Sequence, residues 1–145
     1  MAIKYIPDGV HTITPYLTVS DATALLDFIR RGLDNVKTIH EMKGADGTIW
    51  HADLKIGDSH LMLGQARKPE DAMQSMLYLY VPDCDAAFRK ALAAGGTVHS
   101  EVQTQFYGDR HGCVKDPCGN QWWFATHVED VSPEELERRA KAARS

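Results

Sequence analysis

The feature that most restricts this chain is an internal repeat. Val19-Ser20-Asp21 closes one run of strand-forming residues, ITPYLTV, and Val81-Pro82-Asp83 closes another, SMLYLYV. Asp21 and Asp83 lie 62 residues apart, as do Gly57 and Gly119, each of which opens the last strand-like run of its half. The same offset carries Tyr16 onto Tyr78 and Leu17 onto Leu79. One such unit cannot bury its apolar face alone, so two copies must pack or pair. The 145 residues leave room for both within one domain.

Each half reads as strand, helix, then further strands. In the first, Ile13 to Val19 is rich in β-branched and aromatic residues. Asp21 caps a helix whose apolar positions are Ala22, Leu25, Leu26 and Ile29, and Gly32 fits the left-handed position that ends it. Strands are predicted near Val36–Met42, Ile49–Ile56 and Ser59–Leu63, and the polar stretch from Gln65 to Gln74 reads as a linker. In the second half, Leu77 to Val81 is a strand and Asp83 caps a helix that Gly95-Gly96 stops. Strands follow near Thr97–Glu101, Cys113–Lys115 and Gln121–Thr126, the last two joined by the turn Asp116-Pro117-Cys118-Gly119-Asn120. Ser132-Pro133-Glu134-Glu135 starts a final helix, with Ser as cap, Pro at the first position and Glu at the third. The expected architecture is α+β. Two tandem βαβββ modules, at about 10–66 and 74–128, form a curved mixed sheet around a cavity, and a C-terminal helix covers about 133–143.

Side chains alternate across a strand, so parity assigns faces. Ile13, Leu17 and Val19 share one face, and Leu77, Leu79 and Val81 share its counterpart. Those aliphatic faces suit helix packing. The opposite faces carry Thr14, Tyr16 and Thr18 in one half and Met76, Tyr78 and Tyr80 in the other. A large apolar face without a partner marks a binding surface. In the remaining strands Ala52, Leu54 and Ile56 fall on the helix side, which puts His51 and Asp53 on the pocket side. Trp122 and Phe124 fall on the helix side, which puts Gln121, Trp123, Ala125 and His127 on the pocket side. A shift of 62 then matches Cys113 with His51 and Lys115 with Asp53.

Sixteen Lys and Arg against twenty Asp and Glu leave a net charge of −4, which argues against nucleic acid as the main partner. No run approaches a membrane span, and the first residues lack the apolar stretch of a signal peptide. Three cysteines do not make a disulfide framework and fit a reducing, cytoplasmic setting.

Paired βαβββ units, a V-x-D after each first strand, and Asp116-Pro117-Cys118-Gly119-Asn120 before the last strand resemble the vicinal oxygen chelate superfamily of glyoxalases, bleomycin-resistance proteins and dioxygenases. The run from Tyr107 to His127, followed by Glu129 to Glu135, resembles its small bacterial glyoxalase-like members. The resemblance implies a homodimer and a pocket that commonly holds a divalent metal. The family's ligand positions fall here on Thr14, Leu61, Met76 and Trp123, none an imidazole or carboxylate, so no metal cofactor is expected.

The candidate ligand-binding residues are Thr14, Tyr16, His51, Met76, Tyr78, Arg110, His111 and Trp123. An aromatic lining of this kind favours a small, flat organic molecule. His51 and Asp53 are candidates for an acid/base pair, though any alternating strand yields an i, i+2 pair on one face. Arg110 suits either an anionic ligand or an internal ion pair with Asp109 or Asp116. Three readings stay open: a metal-free binder of a small organic molecule, a metal-dependent lyase or dioxygenase using His51, Asp53 and His111, and a drug-sequestering protein of the bleomycin-resistance type.

Overall fold

The computed structural model describes residues 2–144. The first module comprises β1 (Tyr16–Val19), α1 (Ala22–Gly32), β2 (Val36–Lys43), β3 (Ile49–Ile56) and β4 (Ser59–Gln65). The second comprises β5 (Met76–Tyr80), α2 (Cys84–Ala93), β6 (Thr97–Thr104), β7 (Asp109–Lys115) and β8 (Gln121–His127), and α3 (Pro133–Arg144) follows. Each module has one four-stranded mixed sheet, in the orders β1-β4-β3-β2 and β5-β8-β7-β6. The first strand of each module pairs parallel with its last strand, and the other pairings are antiparallel. No helix of the described residues is long and apolar enough to cross a membrane.

The helix starts form as their caps dictate. Asp21 accepts from the Ala24 N–H at 3.0 Å, and Asp83 accepts from the Ala86 N–H at 3.1 Å. Ser132 Oγ accepts from the Glu135 N–H at 3.2 Å at the start of α3. One apolar cluster joins both modules. Leu25, Phe28 and Ile29 of α1 meet Leu17, Leu54 and Leu63 of their own sheet, and Phe88, Trp122 and Phe124 extend the cluster into the second. Phe28 and Trp122 bring their rings to 6.1 Å. The modules therefore share one core, built where their helices meet.

Three expectations about the chain's course are corrected. β1 begins at Tyr16, not Ile13, because Pro15 has no N–H for a ladder, and Ile13 is 85% exposed. Gly32 does not adopt the left-handed conformation; Asn35, three residues on, has φ +58°. Gly32 is instead the contact point of the two helices. A Cβ there would come within 3.0 Å of the Ala94 Cβ.

The offset between the repeats also varies. Leu17 and Leu63 are partners in the first module, and Leu79 and Phe124 in the second. Leu63 faces Ala52, and Phe124 faces Gly112. The offset is thus 62 for β1 and β5, 61 for β4 and β8, and 60 for β3 and β7. Turn length causes the step from 60 to 61. A tight turn at Gly57-Asp58, with Gly57 at φ +59°, joins Ile56 to Ser59, whereas the turn from Asp116 to Asn120 separates Lys115 from Gln121. His51 is therefore equivalent to His111, not to Cys113. The counterpart of Trp123 is Met62, while Leu61 points into the core, 5% exposed.

Candidate functional site

The helix-free face of each sheet carries a tyrosine hydrogen-bonded to a histidine. In the first module Tyr16 Oη lies 3.0 Å from His51 Nδ1, with the rings stacked at 5.6 Å. In the second, Tyr78 Oη lies 2.9 Å from His111 Nδ1, with ring centroids 5.7 Å apart. The strand registers make these pairs equivalent. Each tyrosine sits on the edge strand that opens its module, and each histidine reaches it diagonally across the intervening strand.

The second-module pair belongs to a larger network. Asp109, only 5% exposed, begins β7 on the same face as His111 and Cys113. Its Oδ2 accepts from Tyr78 Oη and Tyr80 Oη, each at 2.9 Å, and its Oδ1 lies 2.9 Å from His127 Nδ1. His127 Nε2 lies 2.7 Å from Asp130 Oδ1. Burial pushes Asp109 upward, but the bonds from His127, Tyr78 and Tyr80 outweigh it and hold the carboxyl below its ordinary value. Burial and the bond to Asp109 push the Tyr78 phenol far upward, so it stays protonated. Burial lowers His111, against the opposing pull of the Asp109 charge. His127 is raised by its bonds to Asp109 and then Asp130.

Trp123 stands beside this network, its ring 4.8 Å from His111. Its N–H donates to Gln121 Oε1 at 3.0 Å, which leaves the indole faces as its offered surface. Cys113 lies next to Trp123 across the ladder, fully buried, and burial pushes its thiol up to about 11. A thiol so placed is a packing group, not a nucleophile.

The structure thus brings Tyr78, His111 and Trp123 together, with Met76 on the same face at the start of β5. Tyr16 and His51 form the matching pair on the other module. Asp53 does not pair with His51; its Oδ1 lies 3.1 Å from His60 Nδ1. Thr14 precedes β1, donates to the His11 carbonyl at 3.1 Å, and lines a cleft of about 870 Å³ between the modules with Leu61, Leu77 and Leu79. Arg110 is separated from the set. It lies on the helix-packed face, where Nε and Nη2 each contact one oxygen of Asp85 on α2 at 3.0 Å. It makes an ion pair, but not with Asp109 or Asp116.

The sequence reading missed Asp109 as the hub and Tyr80 and Tyr107 as its neighbours. A strand predicted to begin near Cys113 leaves Asp109 in the preceding loop, whereas β7 starts at Asp109 itself. The alternation Asp109, His111, Cys113 was the available signal, because a strand started at Asp109 puts all three on one face. The metal positions implied by the resemblance do not fit a divalent ion: Thr14 lies off the face, Leu61 points inward, and Met76 and Trp123 offer no imidazole or carboxylate. His51 and Asp53 lie on one module and His111 on the other. Among the described residues no three His, Cys, Asp or Glu side chains are grouped to hold a metal.

A model of the Glyoxalase/Bleomycin resistance protein/Dioxygenase superfamily matches residues 9–124. The chain belongs to that superfamily. It is 33% identical to an uncharacterized protein of Mycobacterium bovis, with 94% of each chain covered. An uncharacterized protein of Mycobacterium tuberculosis is also 33% identical, with 94% of this chain and 84% of that one covered. Among solved structures, TioX from Micromonospora sp. ML1 superposes with a TM-score of 0.69 at 25% identity, covering 81% of this chain and 99% of TioX. A glyoxalase-related enzyme from Fulvimarina pelagi superposes with a TM-score of 0.66 at 16% identity, covering 85% and 93%, a likeness of fold alone.

Proposed function

We propose that this superfamily member binds a small, flat organic molecule on the helix-free face of its second module, without a metal. The observation that carries the reading is the set Tyr78, His111 and Trp123, in which every hydroxyl and indole N–H is already bonded within the protein. Such a surface presents ring faces to a ligand, with few free polar groups to hold hydrated ions.

The same face argues for a second copy of the chain. Met76 is 62% exposed, Tyr80 66% and Met42 54%. Exposed apolar side chains on the helix-free faces of both sheets are the kind of surface that a stable assembly covers. A homodimer that brings one chain's first-module face over its partner's second-module face converts two open sheets into enclosed pockets.

A panel of planar aromatic compounds, screened by quenching of tryptophan fluorescence, tests the reading. Saturable quenching that Trp123→Ala abolishes supports it. Binding that Trp123→Ala leaves untouched places the ligand elsewhere and overturns it. Light scattering tests the assembly, which requires twice the chain mass.

A further inference from the structure

The second-module network has a hydrogen count that fixes the chemistry of one atom. Tyr78 has a single hydroxyl proton. Asp109, held ionised among Tyr78, Tyr80 and His127, has no proton to give, so its carboxylate can only accept in its 2.9 Å contact with Tyr78. The Tyr78 proton therefore points at Asp109. The 2.9 Å contact between Tyr78 Oη and His111 Nδ1 is then made by a proton on the imidazole, and Nδ1 donates. A neutral His111 with its proton on Nδ1 has a bare lone pair on Nε2. Burial, which disfavours the imidazolium, acts in the same direction.

That lone pair has no directed partner among the described residues. Tyr107 Oη lies 3.3 Å from Nδ1 and 3.4 Å from Nε2. An oxygen nearly equidistant from both nitrogens cannot lie along the lone-pair axis of either, and both distances are long for an O–H···N bond. The first module lacks this arrangement. Ile49 stands where Asp109 stands in the second, and Thr18 where Tyr80 stands, so no equivalent carboxylate is there to take the Tyr16 proton.

We propose that His111 Nε2 is the specificity-determining acceptor of the pocket, and that its ligand is a planar molecule carrying an N–H or O–H donor on its edge. This inference rests on the reading of the face as an organic-ligand site. It goes further in naming the ligand's polar group, the atom that reads it, and the Asp109–Tyr78 relay that orients that atom. A ring bearing such a donor places its hydrogen on Nε2 while its face meets Trp123. An otherwise identical ring without the donor covers the acceptor and leaves it unpaired, the situation in which hydrogen-bonding sites discriminate best.

Two measurements test this. The first needs no ligand. Long-range proton–nitrogen correlation spectra of the wild-type protein near neutral pH report each histidine's tautomer, and His111 is expected in the Nδ1–H form. Tyr78→Phe is expected to release it toward the Nε2–H form. A wild-type His111 protonated on Nε2 overturns the inference. The second compares 2-naphthol with 2-methoxynaphthalene, which share a ring system and differ in the donor. Wild-type protein is expected to bind the naphthol about tenfold more tightly, the worth of one well-made hydrogen bond. In His111→Phe, which keeps a ring but removes the acceptor, that preference is expected to vanish. Equal binding of both probes by the wild type overturns the inference and leaves the flat-ligand reading standing. Binding of neither at millimolar concentration overturns both. Should His111→Phe fail to fold, the wild-type tautomer and the wild-type probe ratio still decide.

Discussion

Trp122 and Asp116 are joined by a 2.7 Å hydrogen bond from the indole N–H to Oδ2, inside the second module. Asp116 also accepts from the backbone N–H groups of Cys118 and Asn120 and from the Asn120 side chain. The tryptophan thus fills the core with its ring and pins the β7–β8 turn with its nitrogen. Trp122→Ala is expected to cost about 3–5 kcal/mol, because it leaves a hole against Phe28 and removes a donor from a buried carboxylate. Trp123→Ala, one residue on and facing the other way, is expected to cost little stability and to impair ligand binding. Denaturant unfolding of both variants checks this. Equal losses would show that the two faces are not separate.

Gly32→Ala is expected to destabilise the protein by about 1 kcal/mol despite the better helix propensity of alanine, because overpacking outweighs that gain. The added methyl meets Ala94 at 3.0 Å, and Ala91 Cα and Phe28 stand close behind. The paired variant Gly47→Ala, which meets no atom but sits at φ +88°, is strained only by its backbone. Thermal unfolding of Gly32→Ala together with Ala94→Gly tests the cause, since the second change should restore what the first removes.

The His127–Asp109 pair gives the stability a sign in pH. The His127 pKa is raised in the folded protein. Its contribution is therefore fully present below the ordinary histidine value, about 6.5, and is lost as pH rises through the folded value. Asp109 is lowered, so its contribution is present above about 3.9 and lost as pH falls through its own folded value. His111 is lowered and works against His127. The difference between wild type and His127→Gln isolates the first term. The wild type's melting advantage should shrink on going from pH 6 toward alkaline conditions, and an advantage that grows would refute the assignment.

Tag-free protein is expected to carry sub-stoichiometric zinc, nickel, iron and manganese. Chelator treatment is expected to leave its melting temperature unchanged, because an ion bound only by the native state would add its binding energy to folding. Elemental analysis finding one equivalent of any of these metals would defeat the metal-free reading.

The elements of the fold were legible because the chain obeys local rules. Asp21, Asp83 and Ser132 cap the helices they were expected to cap, and β3 runs over Ile49–Ile56 as its alternation demands. The separation of Trp122 from Trp123 followed from parity alone. Thr14 and Arg110 went astray for different reasons. A proline shortened β1 ahead of Thr14, and Arg110 sits on a strand that starts earlier than its β propensity announced. His111 could be proposed but not paired, since its equivalence to His51 depends on a turn length that only the ladders reveal. The role of Asp109 depends on three side chains from β5 and β8, brought together by tertiary pairing that no local pattern encodes.

The drift of the offset from 62 to 61 to 60 bears on how the two halves can be compared. If the halves descend from one duplicated gene, insertions and deletions since then sit at the bends and at the bulges of β2 and β6. A one-residue slip within a strand would have exchanged its core and solvent faces, and selection would have removed it. Descent in such a protein is therefore aligned faithfully only ladder by ladder. A gapless superposition of the two halves pairs His51 with Cys113 and hides the tyrosine–histidine motif that both carry.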